Sequence, residues 1–196
     1  MSLKIFAFLV SIVLISSCEK EHLQPDGPGQ VDPLVYFIGR IGTDSIRIAG
    51  GIDSYIGSTT VTDTGTDRVF SFLFENFDHP SRSSLEISIN NYQEHLGNLQ
   101  SDLDHSIFPG DRHYQDIHHF LPLAVTVKWL DAHGTEYTSR LASQSHLFSI
   151  LSVEDISNEG KDYKKTTVEF ECNLRDDSGH TLHLTNGRAV LLFGVD

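Results

Sequence analysis

The chain has 196 residues, 39% of them hydrophobic, with 12 Phe and 6 Tyr, enough to build a core and to argue against disorder over most of its length. Acidic residues outnumber basic ones 27 to 14, for a formal net charge of −13. With no basic stripe to offset that charge, the chain is not expected to bind nucleic acid or to attach to anionic lipid by electrostatics alone.

Lys4 gives the first segment a positive start, Ile5 to Ile15 runs apolar apart from Ser11, and Ile15-Ser-Ser-Cys18 closes it with small residues. The apolar run is about half of the roughly twenty residues a spanning helix needs, so residues 1–17 read as a secretory signal. Ile15-Ser-Ser-Cys18 resembles the lipobox of bacterial lipoproteins, in which the thiol is acylated and the chain is cut just before it. That resemblance implies that Cys18 begins the mature protein and carries a lipid anchor in the outer membrane. Lys4 leaves with the signal, so the mature charge is 13 − 27 = −14. With Cys18 acylated, Cys172 has no intramolecular disulfide partner. Residues 18–32 read as a flexible tether, with charged Cys18-Glu-Lys-Glu21 followed by Gln24-Pro-Asp-Gly-Pro-Gly-Gln30. The acidic residues after Cys18 look like the export signal of Bacteroidetes surface lipoproteins and imply exposure on the outer face.

From Leu34 onward the expectation is strands. Leu34–Ile38 is an apolar run, Ser45–Ile48 alternates before Ala49-Gly-Gly51, and Thr59–Thr62 is β-branched. Over Arg68–Glu75 the period of two places Phe70, Phe72 and Phe74 on one face, and Leu85, Ile87 and Ile89 repeat the device. Residues 91–120 break the pattern: they are polar, rich in Asp and His, and interrupted by Pro109-Gly110. One helical turn is expected near Leu96–Leu103, with loop elsewhere.

Alternation resumes with Val125, Val127 and Trp129. His146–Val153 is near-continuously apolar and reads as a strand buried on both faces. Val168, Phe170, Cys172 and Leu174 are expected to face the core, and Asn186-Gly187 reads as a two-residue hairpin turn. The expected fold is all-β, an antiparallel β-sandwich over residues 33–196. It is either one large sandwich or two small ones, immunoglobulin-like or jelly-roll-like, with halves 33–116 and 117–196.

Phe37-Ile-Gly39, Asp44-Ser-Ile46, Ala49-Gly-Gly-Ile-Asp-Ser-Tyr55 and Ser84-Leu-Glu-Ile-Ser-Ile-Asn-Asn-Tyr92 together resemble the N-terminal part of a family of uncharacterised Bacteroidetes cell-surface lipoproteins. The family's later part is matched by Asp131-Ala-His-Gly-Thr-Glu-Tyr-Thr-Ser139, Gln144, Phe148-Ser-Ile-Leu-Ser-Val153, Phe170-Glu-Cys-Asn-Leu174 and Asn186-Gly-Arg-Ala-Val190. Relatives in that family often carry a PKD-type domain, and its Trp-Asp-Phe-Gly-Asp-Gly run is absent here. The resemblance implies a fold and a location, and supplies no catalytic residues.

For chemistry, Asp102, Asp104, His105, Asp111, His113, Asp116, His118 and His119 are the residues of metal-ligating type. Their spacing matches neither a zinc motif nor a calcium loop, so solvated loop is the expectation and no metal ligand is assigned. Asp44-Ser-Ile46 fits a short O-glycosylation acceptor pattern. Trp129 shares a face with Val125 and Val127 and is expected in the core rather than as a sugar platform. Cys172 on an apolar strand face is a poor nucleophile. No Gly-x-Ser-x-Gly, His-Glu-x-x-His or phosphate-binding Gly loop is present. The expected role is therefore binding or adhesion, not catalysis, with no cofactor and with a glycan or protein ligand reached through Tyr55, Tyr92, Tyr114 and Tyr137. The alternative is a metal-assisted hydrolase built on residues 102–119, and a structural envelope component ranks third.

Overall fold

A computed structural model describes residues 34–63, 67–79, 83–91, 98–118, 120–158 and 160–195. The expected signal (1–17), Cys18, the expected tether (18–32), Tyr92 and His119 lie outside the described residues. Residues Pro33–Asp196 form one compact unit. It is all-β and sandwich-like; its named strands pair antiparallel, and one isolated parallel bridge joins Tyr114 to Val125. The strands are β1 (Tyr36–Ile41), β2 (Asp44–Ala49), β3 (Tyr55–Asp63), β4 (Arg68–Asn76), β5 (Ser84–Asn91), β6 (Gly110–Arg112), β7 (Ala124–Leu130), β8 (Glu136–Thr138), β9 (Phe148–Asn158), β10 (Lys161–Arg175) and β11 (Thr181–Gly194). Among the described residues one helix, α1 (Leu99–Ser106), lies between β5 and β6, and a 3₁₀ turn spans Ser139–Leu141. Among the described residues no helix is long and apolar enough to cross a membrane.

The strands run β2-β1-β11-β10-β8-β7-β5-β4-β3, with β9 also on β10 and β6 on β9. The ladder changes partner at one thin point, where β10 meets β8 through the single pair Arg175–Thr138. β8, β7, β5, β4 and β3 fold back there over the strands around β10 and β11. Phe72 of β4 meets Phe193 of β11 at a ring separation of 6.4 Å, and the Gly194 N–H donates to Thr59 Oγ1 of β3 at 3.2 Å. β1 and β5, from the first half of the unit, hydrogen-bond directly to β11 and β7 from the second.

Period-two side chains dictate which faces pack. Phe70, Phe72, Phe74, Leu85, Ile87, Ile89, Val125, Val127 and Trp129 fill one inner face, and Val168, Phe170, Cys172 and Leu174 fill the other. Each such side chain removed from water contributes roughly 1.5–3 kcal/mol, which is why a shift of register by one residue is excluded. Phe170 centres an aromatic row with Phe37 at 6.0 Å and Phe148 at 5.1 Å.

α1 is capped by Asn98, whose side chain accepts from the Ser101 N–H at 2.7 Å. It starts later than the turn expected near Leu96–Leu103 and buries Leu103 completely. Two other expectations are corrected. β9 is not buried on both faces: only Phe148 and Ile150 are buried, and Leu151 is 50% exposed. The β9–β10 register slips at this point, Val168 pairing with Ile150 and Thr167 with Ser152, so Leu151 is a bulged residue turned to solvent.

Nor is Asn186-Gly187 a hairpin turn, because β11 runs straight through it. Asn186 takes φ 52°, and the registers against both β1 and β10 shift there, so the pair forms a bulge. A bulge and a tight hairpin both call for a positive φ, and Asn-Gly signals that need without saying which will form.

Candidate functional site

The chemistry-bearing residues of 102–119 do not form one centre. Asp102 is fully buried on α1 and paired with Arg68 of β4, whose Nε also donates to Asp63 at 2.9 Å. That carboxylate pins the helix to the sheet. Asp104 lies 2.8 Å from Lys164 of β10, and Lys164 is 2.5 Å from Asp155 of β9. The hydrogen bond from Lys164 holds the Asp104 carboxyl below its ordinary range, against a smaller opposing effect of burial. Asp111 on β6 accepts from Ser149 Oγ at 2.6 Å, and Asp116 accepts from the His118 N–H at 2.6 Å. His105 is exposed on α1, while His113 and His118 lie further on, beside Asp116. Among the described residues no three His, Cys, Asp or Glu side chains stand where one metal ion would join them.

The tyrosines are also dispersed. Tyr55 is half-buried and donates to the Ser83 carbonyl at 3.2 Å. Tyr137 is half-buried against the core. Tyr114 is only 6% exposed, edge-on to Phe148, and its hydroxyl donates to the Glu171 carbonyl at 2.9 Å. Burial, with help from neighbouring Cys172 and Glu171, pushes its phenol far up in pKa. Cys172 is likewise buried and its thiol pushed up by desolvation, so it stays protonated.

What the structure does assemble is a pair of adjoining clefts. β10 pairs with β9 as far as Phe170 and with β8 only at Arg175, which leaves the intervening stretch without a strand on that side. Side chains fill the gap. Tyr114 takes the Glu171 carbonyl, and the Gln144 amide both donates to the Asn173 carbonyl at 2.8 Å and accepts the Asn173 N–H at 2.9 Å. Gln144 Nε2 also reaches the Ser139 carbonyl at 2.8 Å, and Asn173 Nδ2 donates to the Ser143 carbonyl at 2.8 Å. The segment Ser143–Leu147 is thereby held across the open edge of β10.

One cleft lies on each side of that segment, and both are lined by Ser145, His146 and Leu147. The first, of about 730 Å³, is bounded by Ile38 of β1, Glu169 and Glu171 of β10, and Arg188 of β11. Arg188 is paired with Glu169 there. The second, of about 790 Å³, is bounded by His113–His118, Leu121, Arg140 and Arg175. Ile38, Ile117, Leu121 and Leu147 stay largely exposed around these openings. Apolar side chains interleaved with donors and acceptors on a braced framework suit ligand binding.

Of the residues singled out from sequence, His113, Tyr114, Asp116 and His118 line the second cleft, and Tyr114 offers little surface. Arg140, Gln144, Leu147 and Arg175 were not in that group. Arg140 and Arg175 come together only because Arg175 pairs with Thr138 at the head of the 3₁₀ turn, and no local pattern in the sequence announces that pairing. No family model, curated protein or solved structure matches the chain.

Proposed function

We propose that this chain is a lipid-anchored, extracytoplasmic binding protein, tethered through Cys18, whose ligand seats in the twin cleft on either side of Ser143–Leu147. The observation that carries the reading is the brace across β10. Gln144 satisfies both backbone groups of Asn173, so the segment dividing the clefts is held before any ligand arrives. A surface ordered in advance loses less entropy when a partner docks, which favours binding. The signal and lipobox-like residues of 1–18, with the acidic tether, support the location.

The test is a glycan and protein-ligand array probed with the full chain and with a Leu147→Asp variant. Leu147 lines both clefts and is 43% exposed, so the substitution places a charge at their junction with little effect on folding. Binders retained by the native chain and lost by the variant support the reading. A binder held equally by both places the ligand elsewhere.

A further inference from the structure

The second cleft has a charge character opposite to that of the chain around it. In a protein of net charge −13, counted with neutral histidines, its lining carries two arginines, Arg140 and Arg175, against one carboxylate, Asp116, with His113, His118 and His146 alongside; His146 Nε2 lies 4.0 Å from Glu171. The Asp116 carboxylate is already engaged by the His118 N–H. The two arginines differ from several others in the fold. Arg68 is paired with Asp63 and Asp102. Arg188 is paired with Glu169, and Arg112, although its Nε is also buried without an acceptor, donates its terminal nitrogens to the carbonyls of Phe108 and Asp111.

Among the described residues, the guanidinium groups of Arg140 and Arg175 have no acceptor; Arg175 is exposed to solvent, whereas Arg140 is half-buried and its Nε is fully buried. Desolvating a guanidinium without giving it a partner is costly, and this chain has abundant carboxylates with which to offset the cost. Leaving the buried Nε of Arg140 unpaired, in a cleft that also holds the exposed guanidinium of Arg175, makes sense if an acceptor arrives from outside.

We propose that the second cleft is an oxyanion receptor, in which Arg140 and Arg175 bind a carboxylate or phosphate group of the ligand while Leu121, Leu147 and Ile117 contact its apolar face. This rests on the reading of the twin cleft as the ligand site. The planar fork of an arginine matches the paired oxygens of either anion, and charge-assisted hydrogen bonds of this kind are about twice as strong as neutral ones. Acidic residues elsewhere on the surface repel an anion at long range, so the specificity comes from the cleft at close quarters. The first cleft, which holds Glu169 and Glu171 beside Arg188, offers an anion no comparable site.

The experiment titrates the full chain, in mild detergent, with three probes: trigalacturonate for the carboxylate, inorganic phosphate for the phosphate, and uncharged trigalactose. Hydrogen exchange locates each binding event. The expected result is that one anionic probe binds at least about tenfold more tightly than trigalactose, with protection over residues 140–147. Arg140→Gln and Arg175→Gln should each weaken that binding about ten- to a hundredfold, the loss expected for a charge-assisted hydrogen bond. Arg140→Lys, which keeps the charge and loses the fork, should fall between. Arg47→Gln, which removes the same charge from exposed β2, should bind as the native chain does. Thermal midpoints of all four variants show that a lost affinity is not lost folding. Binding of neither anion, or losses equal to that of Arg47→Gln, overturns the inference. Trigalactose binding as tightly as the anions with protection at 140–147 overturns the oxyanion receptor and leaves the twin-cleft reading standing. Protection confined to residues 169–171 and 186–188 of the first cleft overturns the oxyanion receptor alone, and protection confined to strands outside both clefts overturns both.

Discussion

Gln144 serves Asn173 as a neighbouring strand would: its side-chain amide donates to the Asn173 carbonyl at 2.8 Å and accepts the Asn173 N–H at 2.9 Å. One side chain thus replaces a missing rung on β10 and fixes the loop that divides the two clefts. Gln144→Ala should destabilise the fold by about 1–3 kcal/mol, because half-buried backbone groups of Asn173 lose their partner. Gln144→Glu should be the worse of the two, since Nε2 also donates to the Ser139 and Ala142 carbonyls and a carboxylate has nothing to donate to them. Urea denaturation of both variants measures the difference, and a native-like midpoint for Gln144→Glu would remove the brace from the account.

The bulge at Asn186 and Gly187 gives a second test. A Cβ on Gly187 would stand 2.7 Å from the Phe170 carbonyl oxygen and 2.7 Å from Leu184 Cδ2. The first of these is backbone and cannot swing aside, so Gly187→Ala is expected to cost about 1–3 kcal/mol. At Asn186, with φ 52°, glycine should be tolerated within about 1 kcal/mol, whereas Asn186→Val should cost about 1–2 kcal/mol more, since a β-branched residue disfavours that conformation. Equal stability of the glycine and valine variants would contradict the bulge geometry.

Cys172 reports on the register of β10. It faces the core beside Val168, Phe170 and Leu174, and burial keeps its thiol protonated, so the reactive thiolate is scarce and shielded. In a Cys18→Ala background, where it is the remaining cysteine, a thiol reagent should modify it only as fast as the protein opens, and rapidly in denaturant. Rapid labelling under native conditions would mean that the strand presents its other face.

Strand cores were legible because alternation writes burial directly into the sequence. Phe70, Phe72 and Phe74 on β4, and Val168, Phe170, Cys172 and Leu174 on β10, can only be reconciled with a half-buried sheet one way round. Interruptions were less legible. The bulge at Leu151 moves one apolar residue out of the core by changing local pairing, and nothing in Phe148-Ser-Ile-Leu-Ser-Val153 distinguishes it from a continuous buried run. The clefts could not be read at all. Arg140 and Arg175 line one opening through the lone Arg175–Thr138 pair, and Gln144 reaches Asn173 across a gap between two strands, both long-range relationships with no periodic signature. The Asp and His residues of 102–118 attracted notice by their density, yet Asp102 and Asp104 are engaged by Arg68 and Lys164, which fasten α1 to the sheet.

The proposed anchor makes its own prediction. Cys18→Ala should move the protein from the membrane fraction to the soluble fraction, because one modified residue is asked to supply the acyl chains and a single chain already binds membranes only marginally. A variant that still sediments with membranes would remove the lipid anchor from the account.

The central claim, that ligand is held in the twin cleft, is tested most directly by hydrogen exchange on the full chain with and without the strongest binder from the array. Protection should appear over residues 113–118 and 140–147, the two segments that line the second cleft, and should disappear in Leu147→Asp at matched ligand concentration. Protection confined to the outer strands β2 and β3, or unchanged by Leu147→Asp, would contradict the claim.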